Sequence, residues 1–168
     1  MNYLQFMLTC FFLTALYLSV VSFEKRQRTR LETKCMGHTN YTYLRYRNSE
    51  KCWTSSENDK NYLDAVKSCQ EQGALLGTIK TKNEITLFRL FTTKNIVWIG
   101  LDKINKSTFT WIDNQKPVKN ISFYFPGLQA SADIRNLADC AIAIYPKLIF
   151  RFLLKHCESI DPYICEIR

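Results

Sequence analysis

Six cysteines, three Asn-X-Ser/Thr sequons and two histidines are the residues of this 168-residue chain whose types and spacing bear most directly on chemistry. A seventh cysteine, Cys10, falls inside an apolar N-terminal stretch. That leaves Cys35, Cys52, Cys69, Cys140, Cys157 and Cys165. An even set of this kind predicts disulfides in an oxidising compartment, with 15 connectivities open to six thiols. No C-x-x-C pair occurs, so a structural zinc site or a thioredoxin-like redox motif has no support. The sequons at Asn40, Asn105 and Asn120 predict N-glycosylation, which requires the lumenal side of a membrane. Catalysis finds no comparable foothold. His38 and His156 are the two histidines, and the second adjoins a cysteine expected to be oxidised. A cysteine nucleophile needs a free thiolate, and a serine triad needs a placed histidine and acid that no motif here supplies. Neither a Gly-rich phosphate loop nor a His/Glu metal spacing is present. The chain reads as a non-enzyme.

The compartment follows from the N-terminus. The first 22 residues carry no Lys, Arg, Asp or Glu, and a small-residue site at Val20-Val21-Ser22 precedes the charged run Phe23-Glu24-Lys25-Arg26-Gln27-Arg28-Thr29-Arg30. This pattern predicts a secretory signal peptide over 1–22, followed by a charged linker over 23–34. The rival reading is an uncleaved anchor of about 18 apolar residues, which would make the protein a membrane-anchored receptor ectodomain. Lys25, Arg26, Arg28 and Arg30 oppose it, because basic residues after the apolar run would keep the following domain in the cytosol. The linker is either a solvated spacer or a segment attracted to anionic glycosaminoglycan. With 23 basic and 15 acidic residues, the net charge of +8 favours acidic partners such as sulfated or sialylated glycans, and the compartment argues against nucleic acid.

One domain remains, over 35–168, long enough to bury about two-thirds of its unfolded surface. Too little Pro, Gly or low-complexity sequence is present for a mostly disordered chain, and the length excludes a multidomain enzyme. Aromatic and polar residues over 35–60 predict an N-terminal hairpin. Tyr62, Ala65, Val66 and Cys69 recur at helical spacing, with Gly73 as the stop. Residues 74–79 read as a short buried strand. Thr81 and Glu84 form a capping box for a second helix whose inner face carries Ile85, Leu87, Phe88 and Phe91. Strands follow at 96–101, 108–112, 140–145, 149–154 and 163–167, interrupted by a long irregular stretch up to Asp139. Two helices and several short antiparallel strands define an α+β domain.

These blocks resemble the C-type lectin-like domain family over roughly residues 35–168. The first-helix pattern Tyr62-x-x-Ala65-x-x-x-Cys69 continues through Gln70-Glu71-Gln72-Gly73-Ala74-Leu75-Leu76-Gly77-Thr78-Ile79 to Glu84. Trp98-Ile99-Gly100-Leu101 is similar to the family's core strand, Thr110-Trp111-Ile112-Asp113 to the next, and Tyr163-Ile164-Cys165-Glu166 to its terminal strand. The resemblance implies a disulfide-braced α+β fold with a long loop region. It also implies the pairs Cys69–Cys165 and Cys140–Cys157, with Cys35–Cys52 as the extra bridge of the long form.

Sugar-binding members of the family hold a Ca²⁺ whose ligands also bond the sugar, and a hard cation needs about six to eight oxygens. Carried over residue by residue, the Glu/Gln-Pro-Asn/Asp tripeptide falls at Leu128-Gln129-Ala130. The glutamate before the third core cysteine falls at Ala138, and the Trp-Asn-Asp motif at Phe152-Leu153-Leu154. Oxygen-bearing positions have become apolar, and between Cys140 and Cys157 there is no Asp, Glu, Asn or Gln. The implied cofactor is therefore absent: no metal, calcium included, is expected at the usual place. Asp133, Asn136 and Asp139 read either as a displaced, weaker site or as ordinary loop polarity.

The run Leu148-Ile149-Phe150-Arg151-Phe152-Leu153-Leu154-Lys155 admits two readings. It is core, or part of it joins Phe123, Tyr124 and Phe125 in an exposed apolar and basic patch for a partner. Strand alternation places Ile149, Arg151 and Leu153 on one face and Phe150, Phe152 and Leu154 on the other, with the Arg151 face the wetter. Phe123, Tyr124, Phe125, Arg135 and Arg151 are the ligand-face candidates. The sequence thus predicts a secreted, extracellular recognition protein for a protein or anionic-glycan ligand, without calcium and without nucleic acid, and touching membrane only if the leader stays uncleaved. The alternatives are a calcium-dependent lectin with a divergent site and the membrane-anchored ectodomain.

Overall fold

The computed structural model describes residues 28–104, 108–118, 139–145 and 150–168. Among these the helices are α1 (Arg30–Met36), α2 (Tyr62–Glu71) and α3 (Lys82–Phe91). The strands are β1 (Thr42–Tyr46), β2 (Ser49–Ser55), β3 (Leu75–Leu76), β4 (Ile96–Asp102), β5 (Thr110–Trp111), β6 (Cys140–Ile144), β7 (Arg151–Lys155) and β8 (Ile164–Ile167). They form two four-stranded sheets, ordered β1-β2-β8-β3 and β5-β4-β6-β7, with every ladder antiparallel.

Local chemistry accounts for the two longer helices. Asn61 caps α2, its Oδ1 accepting from Asp64 N at 2.9 Å, and so satisfies one of the free amides of the first turn. Tyr62, Ala65 and Cys69 form its buried stripe, and Gly73 takes the left-handed conformation (φ 68°) that ends it. At α3 both halves of the capping box form: Glu84 N donates to Thr81 Oγ1 at 3.2 Å, and Thr81 N to Glu84 Oε2 at 3.3 Å. Leu87 and Phe88 point inward, and Phe88 meets Trp53 edge-on with ring centroids 6.4 Å apart.

The two sheets meet where β3, β4 and β8 converge. Gly77 N donates to Ile164 O at 2.8 Å, and Gly100 N to Gly77 O at 2.8 Å. A Cβ at Gly100 would lie 2.4 Å from Ile112 Cγ2 and 2.7 Å from Leu76 O, so the crossing requires glycine there. Trp98 and Tyr62 stack edge-on at 5.6 Å beneath it, both fully buried. The disulfides fasten the frame: Cys35–Cys52 joins α1 to β2, Cys69–Cys165 joins α2 to β8, and Cys140–Cys157 joins β6 to the turn after β7.

Three elements differ from the sequence reading. Residues 30–34, read as linker, open the helix α1, whose buried Cys35 is tied into β2; the disulfide supplies an anchor that the charged composition hides. The expected strand over 74–79 shortens to Leu75–Leu76, because from Gly77 onward the chain turns its amides and carbonyls to the neighbouring elements rather than to one ladder. The strand over 108–112 shortens likewise to Thr110–Trp111.

Candidate functional site

β7 is an edge of the second sheet, paired with β6 from Cys140↔Lys155 to Ile144↔Arg151. Its two faces part as strand alternation requires. Phe152, 2% exposed, pairs across the ladder with Ala143 and meets Trp111 (6.5 Å) and Phe150 (4.9 Å) edge-on, while Phe150 meets Phe88 at 5.4 Å. Leu154 packs on the same core. Arg151 is exposed on the opposite face, and Leu153 beside it retains 42% of its surface. Over 150–155 the run thus has one face in the core and one exposed, while Leu148 and Ile149, like Phe123, Tyr124 and Phe125, lie outside the described residues. At the strand's end Lys155 Nζ donates to both Asp161 carboxylate oxygens, at 2.8 and 2.6 Å.

The carboxylate of Asp102, on β4 beside β6, is already engaged. Asp102, buried opposite Cys140, accepts from Tyr62 OH at 3.0 Å and from Ile104 N at 3.1 Å. Burial and then the adjacent Asp102 charge hold the Tyr62 phenol well above its ordinary pKa, so it stays a neutral donor. Asp139 anchors the start of β6 through its backbone, its carbonyl accepting from Lys103 N at 2.7 Å. Among the described residues no three His, Cys, Asp or Glu side chains converge as a metal site would require.

Of the other sequence candidates, Asn40 is exposed in the turn between α1 and β1. Asn105, Asn120, Phe123, Tyr124, Phe125 and Arg135 lie outside the described residues, as do the positions Leu128-Gln129-Ala130, Ala138, Asp133 and Asn136.

Sequence reasoning missed a buried charged network behind β8. Lys51 Nζ donates to Glu166 Oε1 (3.0 Å), Thr78 O (2.9 Å) and Thr78 Oγ1 (3.1 Å), with Glu84 3.6 Å away. Glu166 Oε2 also accepts from Thr78 N (2.8 Å) and from Trp53 Nε1 (3.3 Å). The one available signal was alternation in β2, which puts Lys51 on the inward face with the fully buried Trp53. At the network's rim, Lys80 and Arg168 both pair with Asp113. Burial alone would raise the Asp113 carboxyl, but the Lys80 hydrogen bond and the Arg168 charge outweigh it and bring its pKa below the ordinary aspartate value. A depressed folded pKa contributes stability that is present above the unfolded value, near pH 4, and is lost as pH falls through the folded value. Asp113→Asn should therefore lower the melting temperature at pH 7, and the gap from wild type should close as pH falls below about 4. A gap that stays constant across that range would assign the loss to packing instead.

The family match fits this frame. The model described as Lectin C-type domain matches residues 58–167, about two-thirds of the chain, and the chain belongs to that family. It is 35% identical over 65 residues to C-type lectin domain family 4 member M of Symphalangus syndactylus, covering 37% of this chain and 15% of that protein. It is 29% identical over 77 residues to CD209 antigen of Macaca mulatta, covering 44% of this chain and 19% of that protein. These alignments span less than a fifth of either relative. Among solved structures, the mouse scavenger receptor C-type lectin carbohydrate-recognition domain superposes with a TM-score of 0.57 at 24% identity, covering 74% of this chain and 92% of that one. The C-type lectin domain of murine dendritic cell inhibitory receptor 2, solved with an N-glycan, gives 0.60 at 16% identity, covering 78% and 98%. At these identities the superpositions carry the fold. The α+β, disulfide-braced C-type lectin fold expected from the sequence is the fold formed. No helix among the described residues is long and apolar enough to cross a membrane.

Proposed function

We propose that this chain is an extracellular, non-enzymatic recognition domain that binds a protein or an anionic glycan without calcium. The face used contains the outer side of β7 and the segment 112–139. One observation carries the reading: at the three β7 positions that resemble the family's Trp-Asn-Asp motif, Phe152 is taken into the aromatic core, Leu153 stands exposed and Leu154 packs inward. None of these side chains can donate oxygen to a cation, and the adjacent Arg151 would repel one. An exposed leucine beside an exposed arginine suits instead a partner with apolar and acidic groups. The excess of basic residues points the same way. Cleavage after Ser22 and glycosylation at Asn40, Asn105 and Asn120 belong to the same reading; N-terminal sequencing of the secreted protein should begin at Phe23.

The test is the melting temperature of the oxidised protein in millimolar calcium and in chelator. A site at 100 times its dissociation constant would add about 2.7 kcal/mol and raise the midpoint by roughly 5–10 °C. The expected shift is below about 1 °C, together with retention on heparin that Arg151→Glu weakens and salt abolishes. A calcium-specific rise of several degrees would overturn the calcium-free reading and favour a divergent lectin site.

A further inference from the structure

The turn that carries Asn40 borders a polar cleft of about 310 Å³ walled by the end of β2, the last turns of α2 and the strand entering β8. Its lining is mostly polar: Ser56, Asn58, Ser68, Gln72 and Tyr163 bring hydroxyls and amides, and Glu57 and Lys60 bring one charge of each sign. The walls are held in place. Gln72 Oε1 accepts from Tyr41 OH at 3.2 Å, Gln72 Nε2 donates to Ser68 O at 3.1 Å, and Ser68 Oγ and Tyr163 OH share a hydrogen bond of 2.8 Å. Ser55 Oγ is closed off from solvent and has no hydrogen-bond partner among the described residues.

The turn itself is fixed. His38 N donates to Cys35 O at 3.0 Å, Tyr41 N to His38 O at 3.2 Å, and Cys35 is tied to Cys52. Asn40 and Thr42, the two defining residues of the sequon, are both exposed, so the site can carry a sugar in the folded protein.

We propose that this cleft seats the chain's own first N-acetylglucosamine, attached to Asn40. In that modification Asn40 Nδ2 attacks the anomeric carbon of a lipid-diphosphate-linked oligosaccharide. The C–O bond to the diphosphate breaks, a C–N bond forms, and the amide loses one proton. The volume lies at the lower end of the range for small-ligand sites, which suits a single sugar ring, and the ring's hydroxyls and acetamide find hydroxyl, amide and charged partners in the lining. The seat uses other elements than the β7 face and rests on the extracellular reading only for the presence of the glycan.

The experiment is native deglycosylation of the full chain secreted from a glycosylating host, with peptide mass mapping of Asn40, Asn105 and Asn120. Amidase release at Asn40 should be at least tenfold slower from native than from denatured protein. Gln72→Ala and Asn58→Ala, both at exposed positions, should speed native release several-fold with unchanged melting temperature. Equal rates in native and denatured wild type would overturn the seat, as would variants that leave the native rate unchanged. An unmodified Asn40 beside occupied Asn105 or Asn120 would overturn it while leaving the extracellular reading intact. Secreted protein with all three sequons bare would remove the glycan and the seat together.

Discussion

Glu166→Ala should lower the unfolding free energy by about 3–5 kcal/mol and the melting midpoint by roughly 10–20 °C, measured with the disulfides intact. Glu166 and Lys51 side chains are each 5% exposed, so neither charge can turn to water when its partner goes. Truncating Glu166 strands Lys51 Nζ with Glu84 at 3.6 Å as its nearest acid, and strips the acceptor from Thr78 N and Trp53 Nε1. The effect should belong to the broken pair rather than to charge as such. Lys51→Met combined with Glu166→Leu should recover much of the loss, since a buried ion pair contributes little net over apolar residues of similar volume. In that double variant Arg168 loses Glu166 but keeps Asp113, and Glu84 loses Lys51 but keeps the Lys80 and Thr81 amides. A loss under about 1 kcal/mol from Glu166→Ala would mean that water reaches the network.

The second large effect concerns covalent restraint. Cys69 and Cys165 are 96 residues apart, whereas Cys35–Cys52 and Cys140–Cys157 each span 17. On the chain-entropy account, replacing both Cys69 and Cys165 by alanine should cost roughly 4–5 kcal/mol, and replacing either short-span pair roughly 3 kcal/mol. Cys69 and Cys165 are also fully buried between α2 and β8, so their loss loosens the contact that joins helix to sheet. Urea unfolding of the three double variants measures the order. If Cys69/Cys165 proved the mildest of the three, native-state packing rather than loop closure would govern the stabilisation.

Much of this frame can be read in the residues because its determinants are local. The stripe Tyr62, Ala65, Cys69 and the reciprocal Thr81–Glu84 cap specify α2 and α3 through neighbours within four positions. Alternation along Arg151-Phe152-Leu153-Leu154 likewise separates a core face from a wet one. What depends on distant partners leaves little trace. Residues 30–34 look like a solvated spacer until a disulfide makes them helix. Lys51 looks like a surface lysine, because the glutamate that balances it lies 115 positions away. The cleft beside Asn40 is assembled from four separate segments, and no motif in any of them tells that they meet. The cysteine pairing came from family resemblance, since six thiols alone leave it open.

The position of β8 between β2 and β3 has a consequence for biosynthesis. The β1–β2 hairpin and α2 leave the ribosome long before the strand that completes their sheet. At about 5–20 residues per second, Cys69 waits on the order of 5–20 s for Cys165 to be made. During that interval Cys35 and Cys52 are already available to it, while the inward flank of β2 has no neighbour. In an oxidising compartment a Cys69 thiol that pairs early with Cys35 or Cys52 must exchange before Cys69–Cys165 can form, which would make disulfide isomerisation a step of maturation. Yield should then follow the supply of isomerase and of chaperones that cover an open strand edge more closely than it follows the stability of the finished domain.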